Sequence, residues 1–351
     1  MKQTKNTKYV MMAIAAASLY GVSSPMSKLL LEKLSPTIMA SMLYLGAGIG
    51  MLALQIIKKM SKAQSYEASL TKKELPYIIG MIILDIAAPI FLMIGLTKTT
   101  SSNASLLNNF EIVATAMIAL FIFKEAVGKR MWTAIFFITL SSIVLTFEDI
   151  SSFTFSVGSV FVLLACVSWG LENNCTRMLS IKDPGQIVVI KGLGSGFGAL
   201  LIAWLSKDIK IDISYALIAL LLGFVAYGLS LLMYIRAQRE LGAARTSAYY
   251  AAAPFIGVLI SWIVLKESIT PSFLTALFIM LIGTYFAVTE DHEHAHIHTF
   301  ETHEHKHRHD DNHHTHTHVP EFIGEHSHEH IHEEVTHSHS HTPEVHHRHQ
   351  H

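Results

Sequence analysis

The hydrophobic pattern divides the first 289 residues into long apolar runs separated by mostly short polar connections. A helix of about 20 apolar residues crosses the roughly 30 Å hydrocarbon core of a bilayer. These runs are apolar on every side, whereas helices of soluble proteins keep a polar stripe. The pattern therefore predicts an all-α integral membrane protein with ten transmembrane helices. Their approximate bounds are 9–31, 37–57, 75–96, 102–123, 130–147, 156–179, 184–205, 213–235, 244–265 and 272–289.

The basic residues between these runs predict an orientation. With the N-terminus in the cytoplasm, sixteen lysines and arginines fall in cytoplasmic segments and six fall in outer loops. This asymmetry fits the positive-inside rule. Ten crossings return the chain to the side from which it started. We therefore predict a multi-pass protein of the cell (plasma) membrane with both termini in the cytoplasm.

The two halves of the membrane part repeat each other. The stretch "FKEAVGKRMWTAIFFITLSSIVL" aligns with "LKESITPSFLTALFIMLIGTYFA" and places Lys124–Glu125 on Lys266–Glu267. The stretch "LYGVSSPMSKLL" aligns with "SWGLENNCTRML" and places Tyr20–Gly21 on Trp169–Gly170. Because five spans per half is an odd number, the halves enter the membrane from opposite sides, which is an inverted repeat. The predicted domains are two five-helix repeats and a tail, at 1–148, 149–290 and 291–351.

Several of these features together resemble the drug/metabolite transporter superfamily, EamA type. They are the ten spans, the five-plus-five repeat, the aromatic–glycine pair in each first helix and the Lys–Glu pair that ends each fourth helix. The resemblance covers about residues 9–289. Pro254 also fits the mid-helix proline of such helices, whereas the first half has Ile112 at that place, preceded by Glu111. The resemblance implies secondary transport, often export, of small organic solutes.

Polar side chains inside the predicted spans indicate a substrate cavity, because a charge at membrane depth is costly unless it is paired or wetted. Asn108 and Glu111 are three residues apart and are predicted to share one face of the fourth helix. Glu111 is interpreted as a cavity residue or as a member of a structural ion pair, and Lys191 as a neutralising partner of Asp85 or Glu172. The residues predicted to line the cavity are Tyr20, Asp85, Asn108, Asn109, Glu111, Trp169, Glu172, Asn173 and Tyr250. The glycine-rich stretch "KGLGSGFGALL" of the seventh span predicts close helix packing.

The tail has a different composition from the membrane part. All 23 histidines of the chain lie between His292 and His351, mixed with Glu, Asp, Thr and Ser. With so few apolar residues the tail is predicted to be disordered. Imidazole binds Zn, Ni, Co and Cu well, and HxH spacing places two rings on one side of an extended chain. We expect no required cofactor, but a divalent transition metal (Zn, Ni, Co or Cu) bound by the tail.

The predicted metal ligands are the tail histidines that precede its last ten residues. They are His292, His294, His296, His298, His303, His305, His307, His309, His313, His314, His316, His318, His326, His328, His330, His332, His337, His339 and His341.

Three interpretations of the function remain open. The first is a transporter, an exporter as the family resemblance implies, that handles transition metals which the tail collects or senses. The second is an exporter of amino acids or other small organic metabolites whose tail only buffers metal or pH. The third gives the tail no role in transport. The membrane part has no histidine and only two cysteines, Cys166 and Cys175, which counts against the first.

An enzyme is not expected, because the histidine-free membrane helices cannot supply a histidine-based catalytic site and carry no HExxH or serine-nucleophile motif. A membrane-embedded enzyme or a non-transporting receptor is the competing class. The expected partners are a small-molecule or metal-ion substrate and the lipid bilayer, with no nucleic acid. The oligomeric state is left open.

Overall fold

The computed structural model describes residues 2–60, 70, 72–123, 127–149, 154–179, 182–241, 246 and 249–289, together with 294–298, 301–307, 326–332 and 335–339 in the tail. The helices are α1 Lys2–Gly21, α2 Ser23–Leu30, α3 Pro36–Met60, α4 Leu75–Lys98, α5 Ser101–Leu107, α6 Phe110–Phe123, α7 Lys129–Thr146, α8 Val157–Arg177, α9 Pro184–Leu205, α10 Ile213–Gly223, α11 Ser230–Leu241, α12 Ala253–Leu265 and α13 Pro271–Val288. A 3₁₀ turn at Lys72–Glu74 precedes α4, and a π-helix at Phe224–Leu229 joins α10 to α11.

The predicted spans overlap the observed helices where both are described, with most bounds within a few residues; the first helix begins seven residues earlier, at Lys2, and the eighth span ends six residues later, at Leu241. Among the described residues, eight helical segments are long and apolar enough to cross a membrane, and Ala253–Leu265 is a shorter apolar helix. The prediction of an all-α membrane fold is therefore confirmed, while the count of ten spans stays a prediction.

Short polar side chains begin several of these helices. The Thr100 side chain accepts a hydrogen bond from the Asn103 amide at the start of α5, and Thr270 does the same for α13. Asp212 accepts from two amides at the start of α10. Such caps satisfy amides that have no partner within the helix. The helix starts therefore depend on these connections as well as on the apolar runs.

Two helix breaks occupy equivalent places in the two halves. In the first half α5 ends at Leu107 and α6 begins at Phe110. In the second half a turn at Ala251–Ala252 precedes α12, and the alignment of Lys124–Glu125 with Lys266–Glu267 places this turn on the first break. Interrupted helices of this kind surround substrate sites in transporters.

The first break corrects one prediction. Asn108 and Glu111 do not share a continuous helical face, because the helix stops between them. The Asn109 side-chain amide donates to the Leu106 carbonyl at 3.2 Å. Asparagine side chains that bond to nearby backbone in this way compete with regular helix formation.

Six short strands accompany the described helices. Strand β1 Phe147–Asp149 pairs with β2 Thr154–Phe155 after α7. In the tail, β3 His294–His298 pairs with β6 Val335–His339, and β4 Glu301–His307 pairs with β5 His326–His332, both antiparallel.

The tail strands differ from the predicted disorder at these four segments. The antiparallel ladder gives partners to the backbone groups of these segments. The alternation of histidine with other residues also fits the two-residue period of a strand. The other tail residues and all tail side chains lie outside the described residues.

The helix contacts are symmetric under exchange of the two halves. Helix α4 of the first half packs on α8 of the second, and α1 correspondingly packs on α11. Likewise the contact of α6 with α8 is equivalent to that of α1 with α12. The contact of α10 with α3 is equivalent to that of α9 with α4. Two contacts map onto themselves, namely those of α3 with α9 and α7 with α13. This pattern is the signature of a pseudo-two-fold axis between two inverted halves.

Glycines bring the central helices of the two halves into backbone contact. A Cβ atom on Gly223 of α10 would lie 2.0 Å from the Leu43 carbonyl oxygen of α3, and one on Gly192 of α9 would lie 2.5 Å from the Gly48 Cα atom. Gly196 approaches Leu45 in the same way. The close packing predicted for the glycine-rich seventh span is therefore confirmed.

We expect Gly223→Ala to destabilise the fold. The added methyl group meets a backbone carbonyl that cannot move alone, and overpacking of this kind costs about 1–3 kcal/mol. Gly80→Ala is the matched control, because its Cβ atom would meet only the Cys175 Sγ atom, at 3.2 Å. Thermal unfolding in detergent should give a lower midpoint for Gly223→Ala than for Gly80→Ala. Equal midpoints would contradict the proposed backbone contact.

Candidate functional site

A cavity of about 840 Å³ lies between the two halves. Its lining includes Tyr20, Tyr44 and Glu111 from the first half and Trp169 and Lys191 from the second. The volume is within the usual range of small-molecule sites, about 300–1,000 Å³. The cavity therefore lies at the interface where an inverted-repeat transporter places its substrate.

The cavity extends towards one end of the helix bundle. Gly128 and Met131, at the start of α7, and Ala287 and Val288, at the end of α13, line it there. Helix α8 ends and α9 begins at the same end. We refer to the end defined by Gly128 and Val288 as the open end.

The opposite end is tied by polar contacts between the halves, and we refer to it as the closed end. The Glu267 carboxylate accepts hydrogen bonds from the Ser101 and Ser102 amides, at 2.7 and 2.8 Å, where α5 begins. The Ser102 hydroxyl also donates to it, at 2.6 Å. Thr37 at the start of α3 donates to the Asp208 carboxylate at 2.6 Å. These contacts join residues of different halves, so separating the halves at this end must break them.

The backbone conformation of Lys266 places the Glu267 side chain next to the start of α5. Lys266 follows the last residue of α12 and has a φ of 52°, in the left-handed region. A left-handed residue is a common way to end a helix and to turn the chain sharply. The predicted repeat partner Lys124–Glu125 lies outside the described residues.

Glu111 lies in the first turn of α6, directly after the helix break. The Asn173 side-chain amide donates to its Oε1 atom at 2.7 Å and to the Thr115 hydroxyl at 3.2 Å. Asn173 belongs to α8, so this contact links the two halves inside the cavity. The side chains of Glu111, Thr115 and Asn173 are all partly exposed and line the cavity.

A buried ionic cluster joins α4 of the first half to α8 and α9 of the second half. The Lys191 ammonium is 3.2 Å from the Asp85 carboxylate and 3.0 Å from the Glu172 carboxylate. The Tyr44 hydroxyl donates to Asp85 at 2.8 Å, and the Trp169 indole N–H donates to Tyr44 at 3.3 Å. Asp85 is fully buried and Glu172 nearly so, whereas Lys191 keeps 19% of its side-chain surface exposed. The cluster therefore places one cation between two carboxylates.

Aromatic side chains form much of the remaining wall. The ring centroid of Tyr20 lies 5.7 Å from that of Tyr227 and 5.8 Å from that of Tyr250. Tyr250 is 4.9 Å from Tyr234, and Tyr227 is 5.5 Å from Tyr44. These distances are typical of interacting aromatic pairs. The rings therefore form one continuous surface across both halves.

The aromatic–glycine pairs predicted from the repeat have a clear packing role. A Cβ atom on Gly21 would lie 2.6 Å from the Ala253 carbonyl oxygen, and one on Gly170 would lie 2.7 Å from the Ala114 Cβ atom. Each glycine lets its helix approach a helix of the other half. The neighbouring Tyr20 and Trp169 then lie at the cavity.

The structure brings together most of the predicted cavity residues. Those that line the described cavity are Tyr20, Glu111, Trp169, Glu172, Asn173 and Tyr250. Three predicted residues are not in this lining: Asp85 lies behind Lys191, Asn109 is buried against its own backbone, and Asn108 ends α5. The sequence analysis missed Tyr44 and Thr115, because a single uncharged polar side chain in an apolar run does not indicate a cavity. It assigned Lys191 only a neutralising role.

Metal binding is a separate question from the cavity. The described residues contain no group of three or more His, Cys, Asp or Glu side chains arranged to hold a metal ion. The tail histidine side chains lie outside the described residues. Metal binding by the tail therefore stays a prediction.

A cavity lined by aromatic side chains and a few charged ones, between two halves of a helical membrane bundle, is the arrangement expected of an inverted-repeat membrane transporter. The sequence profile of the EamA-like transporter family matches residues 7–147 and again residues 156–289, so the chain belongs to this family. The predicted resemblance is confirmed. Family membership implies a small-molecule substrate and a multi-pass location in a lipid bilayer.

Two curated relatives are similar to this chain. An "Uncharacterized transporter" of Methanothermobacter thermautotrophicus is 25% identical over 270 residues, which are 72% of this chain and 78% of the relative. "Uncharacterized transporter YyaM" of Bacillus subtilis is 22% identical over 271 residues, 74% of this chain and 87% of the relative. A solved crystal structure matches with a TM-score of 0.58 at 14% identity, covering 80% of this chain and 95% of the other, which supports the fold alone.

Proposed function

We propose that this protein is a secondary-active exporter of a small organic solute that works by alternating access. The observation that carries the proposal is the cavity between the halves, which extends to one end while polar contacts tie the other. A pseudo-symmetric pair of halves has a second arrangement in which the opposite end opens. Neither a cofactor nor enzymatic activity is part of the proposal.

The proposed direction follows from the basic residues. The connections at the open end include Lys72, Lys73, Lys129 and Arg130. By the positive-inside rule the open end faces the cytoplasm, and both termini lie there as well. A solute then enters the cavity from the cytoplasm and leaves at the other side of the cell membrane.

The cavity suits an organic solute better than it suits a metal ion. Transition metals are held by several convergent imidazole, thiolate or carboxylate ligands. The described residues contain no such group, whereas the cavity has an extensive aromatic wall. The histidine-rich tail supports the second candidate function, in which the protein takes part in Zn, Ni or Co handling through cytoplasmic binding by the tail.

Flux in proteoliposomes tests both candidates. We expect full-length protein and a variant lacking residues 291–351 to transport organic solutes at similar rates. Metal ions should bind the full-length protein without crossing the membrane. A variant with glutamine at all 23 tail histidines keeps the length of the tail and serves as the matched control. Zn, Ni or Co flux that disappears in both tail variants would instead favour the metal transporter, and no flux of any solute would contradict the proposed function.

A further inference from the structure

The charge balance of the cavity identifies the substrate more closely. Two carboxylates, Glu111 and Glu172, line the cavity with one ammonium group, that of Lys191, and the Asp85 carboxylate lies directly behind Lys191. Lys191 is already held between Asp85 and Glu172, at 3.2 and 3.0 Å. Its positive charge is therefore balanced by the protein itself.

This conclusion holds whether or not Asp85 is protonated. With both carboxylates ionised, Asp85, Glu172 and Lys191 together carry one negative charge. With Asp85 protonated, the cluster is neutral. In neither of these two states does it offer an uncompensated positive charge to a substrate carboxylate.

Glu111 is the charge that remains available. Its hydrogen bond comes from the neutral Asn173 amide, at 2.7 Å, and among the described residues no lysine or arginine forms an ion pair with it. Its side chain is partly exposed and lines the cavity. A partly buried carboxylate in a low-dielectric site attracts a cation more strongly than it would in water.

The surfaces around Glu111 also suit a cation. Tyr20 contacts both Tyr227 and Tyr250 on the wall, and Trp169 lies in the same lining. Aromatic faces attract ammonium groups through their quadrupoles, most strongly for quaternary ammonium groups and away from water. The rings also cover the apolar part of an organic molecule.

We propose that the cavity binds an organic cation, with an ammonium group at Glu111 and an apolar part against the aromatic wall. The inference rests on the proposed function, because it assigns the substrate class of that cavity. A zwitterion would place its carboxylate beside a lysine that two carboxylates already neutralise. An anion would meet only carboxylates without a free cation, and a metal dication would lack convergent ligands.

A panel of four probes with one phenyl ring and a short chain tests the charge preference. They are phenethyl-trimethylammonium as the permanent cation, phenylalanine as the zwitterion, 3-phenylpropionate as the anion and 2-phenylethanol as the neutral molecule. Equilibrium binding of the radiolabelled cation to full-length protein in detergent is measured, with the other three as competitors. We expect saturable binding of the cation and weak competition by the others.

Charge variants connect this preference to Glu111. Glu111→Gln keeps the shape and removes the charge, and should raise the Kd of the cation about tenfold or more, as expected for a desolvated charge pair. Glu111→Asp keeps the charge and should retain cation binding. Glu32→Gln makes the same chemical change on an exposed side chain near the closed end and should leave the Kd unchanged. An unchanged thermal midpoint shows that each variant is folded.

Two results would overturn the inference. One is stronger binding of phenylalanine, 3-phenylpropionate or 2-phenylethanol than of the cation. The other is an unchanged Kd for the cation in Glu111→Gln. Flux of a zwitterion or an anion in proteoliposomes would remove the cation assignment and leave the proposed function intact, whereas a protein that moves no solute at all would remove both.

Discussion

Lys191→Met should destabilise the protein by about 3–5 kcal/mol, the usual cost of breaking a buried ion pair by removing one partner. The change leaves Asp85 and Glu172 facing each other without the cation between them. Chemical unfolding in detergent measures the loss. Lys98→Met is the control, because Lys98 is exposed at the end of α4 and surface changes of this kind usually stay within about 0.5 kcal/mol.

Restoring charge balance should recover much of that loss. The triple variant Asp85→Asn, Glu172→Gln, Lys191→Met removes both carboxylate charges together with the ammonium. Buried ionic clusters can often be replaced by neutral groups of similar shape at little cost. If Lys191→Met unfolds like the wild type, or if the triple variant is no more stable than the single one, the cluster does not balance its charges as described.

Glu267→Ala should open the closed end. It removes a carboxylate that accepts from the Ser101 and Ser102 amides and from the Ser102 hydroxyl. A charged helix cap is worth about 1–2 kcal/mol, so the populations of the two conformations should shift by about tenfold. Spin labels at Glu32→Cys and Ile269→Cys, in a variant without Cys166 and Cys175, report the distance between the halves at this end.

The control for this experiment is Asp212→Ala. Asp212 also caps a helix at the closed end, but it accepts from Ser214 and Tyr215 of its own half. Its removal weakens the start of α10 without cutting a tie between the halves. We expect a longer distance population only for Glu267→Ala. Identical distance distributions in the two variants would contradict the role assigned to Glu267.

Apolar run length and short connections were sufficient to predict the membrane helices. The seventh span was predicted at 184–205, and α9 is Pro184–Leu205. The repeat was predictable because polar and aromatic residues, such as Tyr20–Gly21 and Trp169–Gly170, are rare enough in these runs to align. Glu111 and Glu172 were predictable because a buried charge in a membrane needs a partner or water.

The orientation of individual side chains was not predictable. Helices that are apolar on every side have no stripe that indicates which face meets the other half, so Asp85 was placed in the cavity rather than behind Lys191. The break at Asn108–Asn109 contains neither proline nor glycine and depends on local side-chain bonding. The tail strands pair residues about 20 to 45 positions apart, and no local pattern specifies such a partner.

In the proposed mechanism the transport path is the space between the inverted halves. Ala116→Cys places a thiol on the cavity wall, and Ile122→Cys in the same helix places one on the outer surface, where the side chain is 60% exposed. Both belong in a variant without Cys166 and Cys175. A thiol reacts with a charged, membrane-impermeant reagent only where water reaches it.

Labelling of these two cysteines in oriented vesicles is the most direct measurement. We predict that the reagent modifies Ala116→Cys from the side of the open end, and also from the other side once Glu267→Ala is added, while Ile122→Cys stays unmodified from both sides. Ala116→Cys that reacts from neither side until the protein is unfolded would contradict the account.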